Sequence, residues 1–414
     1  MTYPEALNWL YTQLPMYQRQ GGAHYKIDLD KTWALMDHLD HPELSFESIH
    51  VAGTNGKGST AHMMAAALQA NGLKVGLYTS PHLVDFRERI RVNGCPMSQD
   101  AVLDFVEMHR DAFTRMELSF FEMTVGMAFD YFRSQQVDVA IVEVGMGGRL
   151  DSTNVLSPVF SVITNIGLDH QAFLGDTREA IASEKAGIIK PFTPVFIGEK
   201  DDATRGVFER TAQAQDAPLF WAESHDDVTC DLRGSYQRAN LNLALTALTQ
   251  QEQWPLNWEQ VLHGLQSVAT STGLRGRWET WRQNPTVIAD VAHNADGLKH
   301  AMAQWQTARQ GHRKSWMIIG SVNDKNPADL IKVLPESVEL MLCQPRIPRA
   351  MPLDQLTRAA HDAGRAFDCM ADPVRAYRYV LSGAHADDII YVGGSTFVVA
   401  DILGELEAVA QAST

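Results

Sequence analysis

Gly53-Thr54-Asn55-Gly56-Lys57-Gly58-Ser59 joins an apolar, β-branched run, SIHVAG (48–53), to an Ala/Met/Leu-rich segment that ends near Gln69. Three glycines so close together let backbone N–H groups converge. A helix starting at the loop turns its positive dipole end to the same point, and Lys57 adds a full charge. Those residue types in that order suit a phosphate group, so the segment reads as nucleotide-binding. It does not match the common GxxxxGK[ST] spacing, because Gly58 separates Lys57 from Ser59. The plainer alternative is a glycine-rich strand-to-helix turn with an incidental lysine.

Other side chains stand where chemistry is possible. Glu143, within the run DVAIVEVG (138–145), ends a predicted buried strand at the carboxyl edge, where open α/β sheets place ligands. It also reads as a solvated strand-end carboxylate. His170 lies shortly after VFSVITN (159–165). Magnesium prefers oxygen, so on the residues alone this imidazole reads as a structural hydrogen bonder. Ser80 can cap a turn before Pro81, Lys185 reads as a surface lysine paired with an acid, and Asn240 opens a Leu/Ala-rich helix.

The elements that must carry these residues alternate. The runs 48–53, 74–80, 138–145, 159–165 and 193–199 read as strands, with helical stretches such as 57–71 and 121–135 between them. A second series follows at 286–292, 315–321, 338–344 and 388–395. Strands alternating with helices predict mostly parallel sheets covered on both faces. A helical stretch, 236–268, and a linker-like segment, 271–279, separate the two series. The expected division is therefore 1–272 and 273–414, two α/β domains with a cleft between them as a natural ligand position.

The chain of 414 residues suits two or three domains at roughly 100–200 residues each. It has 45% hydrophobic and 21% charged residues, which is globular composition. Its 35 basic and 50 acidic residues leave a net charge of −15. Duplex nucleic acid and anionic membranes need a basic surface, so neither is expected as a partner. Anionic small molecules need a local device that overrides the global field. The four cysteines show no CxxC spacing and read as free thiols. No signal-like start and no uncharged stretch of about 18 residues is present, so a cytoplasmic location is expected.

The Gly53–Ser59 loop resembles that of the Mur ligase superfamily. Thr79-Ser80-Pro81-His82-Leu83, Arg89-Ile90-Arg91-Val92-Asn93-Gly94, Glu143-Val144-Gly145-Met146-Gly147-Gly148-Arg149-Leu150-Asp151 and Ser183-Glu184-Lys185-Ala186-Gly187-Ile188-Ile189-Lys190 narrow it. Together they resemble the folylpolyglutamate synthase/dihydrofolate synthase family, from Ile27-Asp28-Leu29 to Gly393-Gly394-Ser395. The resemblance implies an N-terminal P-loop NTPase-like domain with a mostly parallel sheet and a smaller C-terminal Rossmann-like domain. It implies a monomer that uses ATP and one or two Mg²⁺ ions to add L-glutamate to dihydropteroate or a reduced folate. An amine does not displace hydroxide from a carboxylate, so the carboxylate is first converted to an acyl phosphate. That transfer needs mainly positioning and neutralised charge.

By the same resemblance Ser80, Glu143 and His170 hold metal, and Lys185 is carbamylated to support a second ion. That modification needs a neutral amine and hence a depressed pKa. Lys57, Lys185 and His293 form the catalytic set. Gly53 to Ser59, Asn240, Arg277 and Asp290 contact ATP, with Asn240 on adenine. Leu29, Phe121, Glu122, Leu150, Asp151 and Ser152 match acceptor contacts. Phe121 suits stacking on a flat pterin, although adjacent phenylalanines opening an amphipathic helix belong as readily to a core. Two departures stand out. Asp290-Val291-Ala292-His293-Asn294-Ala295 has Val for Gly and Ala for Pro in the family signature, and Asn326 replaces the last residue of Asp-Lys-Asp. Two rivals are a Mur-type ligase for a peptidoglycan precursor and a P-loop switch that hydrolyses nucleotide. The 52 residues before the loop leave little room for the former's extra substrate domain.

Overall fold

The computed structural model describes residues 1–13 and 28–412, so Ile27 lies outside the described residues. The chain forms two compact units, Met1–Asp231 with Gln237–Leu274, and Leu232–Tyr236 with Arg275–Thr414. The short segment Leu232–Tyr236 groups with the second unit although its neighbours on both sides belong to the first.

The first unit holds an eight-stranded sheet in the order β4-β3-β2-β5-β1-β6-β7-β8. The strands are β1 (Glu47–Ala52), β2 (Val75–Tyr78), β3 (Ile90–Val92), β4 (Cys95–Pro96), β5 (Val139–Glu143), β6 (Phe160–Ile163), β7 (Val195–Ile197) and β8 (Leu219–Trp221). Pairing is parallel from β2 to β8, and β3 and β4 add an antiparallel edge. β5 is buried throughout and its first four residues form a continuous apolar run, whereas β1, buried from Ser48 onward, also carries the polar Ser48 and His50.

The Lys57–Ala70 helix is buried continuously from Gly58 to Leu68. It touches β1, β2 and β5 on one side and the Gln237–Gln250, Trp258–Leu265 and Val268–Thr272 helices on the other. A helix covered all round has no use for a polar face, hence its Ala/Met/Leu composition. Phe129 and Phe132 of the Phe120–Ser134 helix lie in the adjoining core with Tyr78 and Phe105. Each such buried aromatic contributes roughly 1.5–3 kcal/mol.

The stretch 236–268 is not one helix. It breaks over Gln251–Asn257, where Pro255 cannot donate and Asn257 caps the next helix through Glu259 N–H. The expected linker 271–279 is likewise partly structured, since its first residues end the Val268–Thr272 helix.

The second unit carries a six-stranded sheet, β13-β12-β11-β14-β10-β9. Its strands are β9 (Glu279–Gln283), β10 (Thr286–Ala289), β11 (Ser315–Ile319), β12 (Glu339–Leu342), β13 (Asp368–Cys369) and β14 (Ile389–Gly393). All pairs are parallel except β9 with β10. Trp305, Leu342 and Tyr391 anchor its core. Among the described residues no helix is long and apolar enough to cross a membrane.

Candidate functional site

The loop after β1 turns on two glycines in the left-handed region, Gly53 at φ +144° and Gly56 at φ +87°. Space also forbids a side chain at either. A Cβ on Gly53 would lie 1.8 Å from Thr164 Oγ1, and one on Gly56 would lie 2.1 Å from Asn240 Oδ1. The loop is wired to the chain after β6. Thr54 N–H donates to the Asn165 carbonyl and Asn55 N–H to Asn165 Oδ1, both at 2.9 Å. Thr164 Oγ1 donates to the Asn55 carbonyl at 2.6 Å. The front N–H groups of the loop are therefore engaged by Asn165. The N–H groups of the first helical turn, from Lys57 onward, supply the donors that lack an intrahelical partner.

Two lysines meet at this loop. Lys57 Nζ donates to the carbonyls of Gly53 (3.1 Å) and Thr54 (3.2 Å). Lys185 Nζ donates to Gly53 O at 2.7 Å from a buried position. A surface ion pair is therefore not its role. Burial first, and the nearby Lys57 charge second, push the Lys185 amine down to about 7. Behind the loop Gln237 Nε2 donates to Ser59 Oγ (3.1 Å) and Asn240 Nδ2 donates to Gln237 Oε1 (2.8 Å).

Glu143 ends β5 and is buried, not solvated. Its Oε2 accepts Ser80 N–H at 3.0 Å, because Ser80 follows β2 and β2 pairs with β5. His170 sits at φ +52° ahead of the short Gln171–Leu174 helix, with its side chain 41% exposed. Among the described residues no group of three His, Cys, Asp or Glu side chains is placed to hold a metal ion. The expected set contains only two of those types, the others being a serine hydroxyl and a lysine.

Asp151 is a structural hub. Its carboxylate accepts Met146 N–H (2.9 Å), Thr153 N–H (3.0 Å) and Thr153 Oγ1–H (2.5 Å), closing the segment from Met146 to Thr153 on itself. Ser152 is buried in the same turn and Leu150 is half-buried. The ring of Phe121 fills the space a side chain at Gly145 would take, its Cζ 2.3 Å from that Cβ position. It packs partly buried against the core. Glu122 forms a capping box with Ser119, accepting Ser119 N–H at 2.7 Å. Leu29 caps the Asp30–His38 helix with its backbone.

Near Ser80, Arg89 Nε donates to His82 Nδ1 at 2.8 Å, and the guanidinium lies 5.2 Å from the Phe120 ring centre. Burial pushes His82 down to about 3, with the Arg89 charge adding to it.

In the second unit Asp290 is buried and its carboxylate accepts Trp278 N–H (2.9 Å), Tyr236 OH (2.5 Å) and Ala292 N–H (2.9 Å). Burial, then Asp290 itself, raise the Tyr236 hydroxyl far above its ordinary range. Arg277 is half-buried and makes a long bond to Gly276 O (3.4 Å). His293 Nδ1 lies 3.0 Å from Val291 O, and Asn294 caps the Ala295–Ala308 helix. Val291 is not among the positive-φ residues, so its backbone demands no glycine. Ala295 opens the helix, where proline is favoured but not required. Asn326 caps the Pro327–Val333 helix through Ala328 N–H, a task an aspartate would perform equally.

The Mur ligase middle domain model matches residues 51–247, and the Mur ligase glutamate ligase domain model matches 276–396. The dihydrofolate synthase/folylpolyglutamate synthase of Bacillus subtilis is 31% identical over 98% of this chain and 99% of its own. This chain belongs to the folylpolyglutamate synthase/dihydrofolate synthase family. It is accordingly a ligase of the Mur type that forms C–N bonds. Two solved structures extend the likeness. One is a bifunctional folylpolyglutamate synthase/dihydrofolate synthase with Mn, AMPPNP and L-glutamate bound. It has a TM-score of 0.85 and 29% identity over 98% of each chain. The other is E. coli FolC in complex with DHPP and ADP, with a TM-score of 0.85 and 28% identity over 98% of each chain.

Several residues that hold the expected site residues in place were not singled out from the sequence. Asn165 and Thr164 hold the Gly53–Ser59 loop, Gln237 reaches Ser59, and Tyr236 binds Asp290. The only signal for them was position just after a strand or just before Asn240, and nothing in one sequence tells which loops will touch.

Proposed function

We propose that this chain joins the amine of L-glutamate to the carboxylate of dihydropteroate or of a reduced folate, driven by ATP. The observation that carries the reading is the Gly53–Ser59 cradle. Two lysines converge on it, and it sits in a chain that aligns end to end with a dihydrofolate synthase/folylpolyglutamate synthase.

The Lys57–Ala70 helix terminus and Lys57 bind the ATP phosphates, Asn240 faces the adenine, and Arg277 adds a positive charge. The family resemblance assigns Asp290 to ATP as well, and His293 to the catalytic set with Lys57 and Lys185. The acceptor carboxylate attacks the γ-phosphorus, ADP leaves, and the carboxyl becomes an acyl phosphate. The glutamate amine then attacks the acyl carbon, phosphate departs with the C–O electron pair, and the amine loses a proton. Leu29, Phe121, Glu122, Leu150, Asp151 and Ser152 lie on the acceptor side.

The donors suit a hard cation, since Glu143 offers a buried carboxylate and Ser80 a hydroxyl. These two with His170 would hold Mg²⁺, which when bound neutralises phosphate oxygens of ATP. Lys185, neutral in part at physiological pH, is the group whose carbamate would support a second ion. The protein acts as a cytoplasmic monomer, with neither nucleic acid nor membrane as partner.

The test compares dihydropteroate with tetrahydrofolate, each with ATP and glutamate, by ADP release and product mass. ADP formed only when acceptor and glutamate are both present, with a product heavier by one glutamyl residue, is the expected result. ADP formed from ATP alone at the same rate would instead describe a nucleotide-hydrolysing switch.

A further inference from the structure

His50 lies in the middle of β1, fully buried, three residues before Gly53. Its Nε2 is 2.8 Å from Thr153 Oγ1, and Thr153 Oγ1 donates to Asp151 Oδ1 at 2.5 Å. A threonine hydroxyl has a single proton, and an ionised carboxylate has none to return. With that proton committed to Asp151, the imidazole must be the donor to the hydroxyl. The direction of the chain is thereby set: His50 Nε2–H to Thr153, Thr153 O–H to Asp151. His50 is then the neutral Nε2–H tautomer, and its Nδ1 is a buried lone pair with no hydrogen-bond partner. Burial foremost, and the charge of Lys190, push the imidazole down to about 3, so it stays neutral at working pH.

The other end of the chain is Asp151, whose second oxygen takes Met146 N–H. The same turn is braced by Asn154 Nδ2, which donates to the carbonyls of Arg149 and Gly187, and by Lys190 Nζ on Asn154 O. The strand that feeds the phosphate loop is thus bonded directly to the turn that carries Leu150, Asp151 and Ser152. We propose that His50 is a positioning residue for the ligase reaction: through Thr153 it orients Asp151 and the acceptor-side turn relative to the nucleotide loop. This rests on the assignment of that turn to the acceptor.

The experiment has two arms. In the first, the intact protein is labelled with ¹⁵N-histidine and the His50 signals are assigned by their loss in His50→Gln. The expected result is an Nε2–H tautomer that does not titrate between pH 8 and pH 5. An Nδ1–H tautomer, or titration in that range, would overturn the proposed direction. In the second, Thr153→Val should raise the KM for the pteroate or folate acceptor by about tenfold, with KM for ATP little changed. Thr153→Ser, which keeps the hydroxyl, should restore it. Equal shifts in both KM values, or an unchanged acceptor KM in Thr153→Val, would overturn the role. A wild-type protein that makes no glutamate-dependent ADP with any such acceptor would instead count against the assigned reaction.

Discussion

Lys57 and Lys185 share one acceptor, the carbonyl oxygen of Gly53, at 3.1 and 2.7 Å. Two amines directed at one atom repel each other when both are charged, and the buried one, Lys185, yields its proton more readily. The geometry of the loop therefore prepares a neutral amine beside the charged Lys57. Replacing Lys185 by Arg removes that option, since a guanidinium is not deprotonated in proteins. Lys185→Arg should lower kcat on the order of 100-fold while nucleotide affinity changes far less. Steady-state kinetics together with nucleotide titration check it.

Glu143→Gln keeps an oxygen for Ser80 N–H but removes the charge. The Mg²⁺ concentration needed for half-maximal activity should rise by about tenfold or more, with the unfolding midpoint nearly unchanged. A magnesium titration at saturating ATP reads the effect.

Gly56→Ala should be harmful for two separate reasons, the φ of +87° and the approach of Asn240 Oδ1 to the new Cβ. The left-handed conformation alone costs about 1–2 kcal/mol. Shortening Asn240 to Gly in the same chain should relieve the clash but not the backbone strain. Urea unfolding of the single and double variants separates the two.

Asp290 with its three donors is a structural anchor before it is anything else. Asp290→Ala leaves the buried Tyr236 hydroxyl and Trp278 N–H unsatisfied and should destabilise the protein by roughly 2–4 kcal/mol. Tyr236→Phe should cost less, and a double-mutant cycle should show strong coupling between the two.

Acid stability follows from His50, whose folded pKa of about 3 lies below its ordinary value of 6.5. Between those values the unfolded chain binds the proton that the folded one refuses. Stability is therefore complete above about pH 6.5 and falls as pH drops toward 3, at up to about 1.4 kcal/mol per pH unit for this group. His50→Gln should flatten that slope in urea titrations at pH 7, 5 and 4.

Some of this protein was written in its residues one by one. The strand–glycine loop–helix around Lys57 and the alternation of apolar runs with helical stretches depend on local sterics and period, which neighbours in sequence decide. The edge strands β4, β8, β9 and β13, and the short β3 beside β4, were not legible, being two to five residues long and without a strong pattern. Nor were the break over Gln251–Asn257 or the burial of Lys185, whose helical surroundings in sequence suggest an exposed pair with an acid. Only the tertiary structure could bring Lys185 to Gly53, Thr164 and Asn165 to the loop, and His50 through Thr153 to Asp151. Residue type determined what each group can donate, accept or hold. The sheet order, which places β1 between β5 and β6, decided which groups meet, because bonds across more than a hundred residues depend on packing and not on spacing.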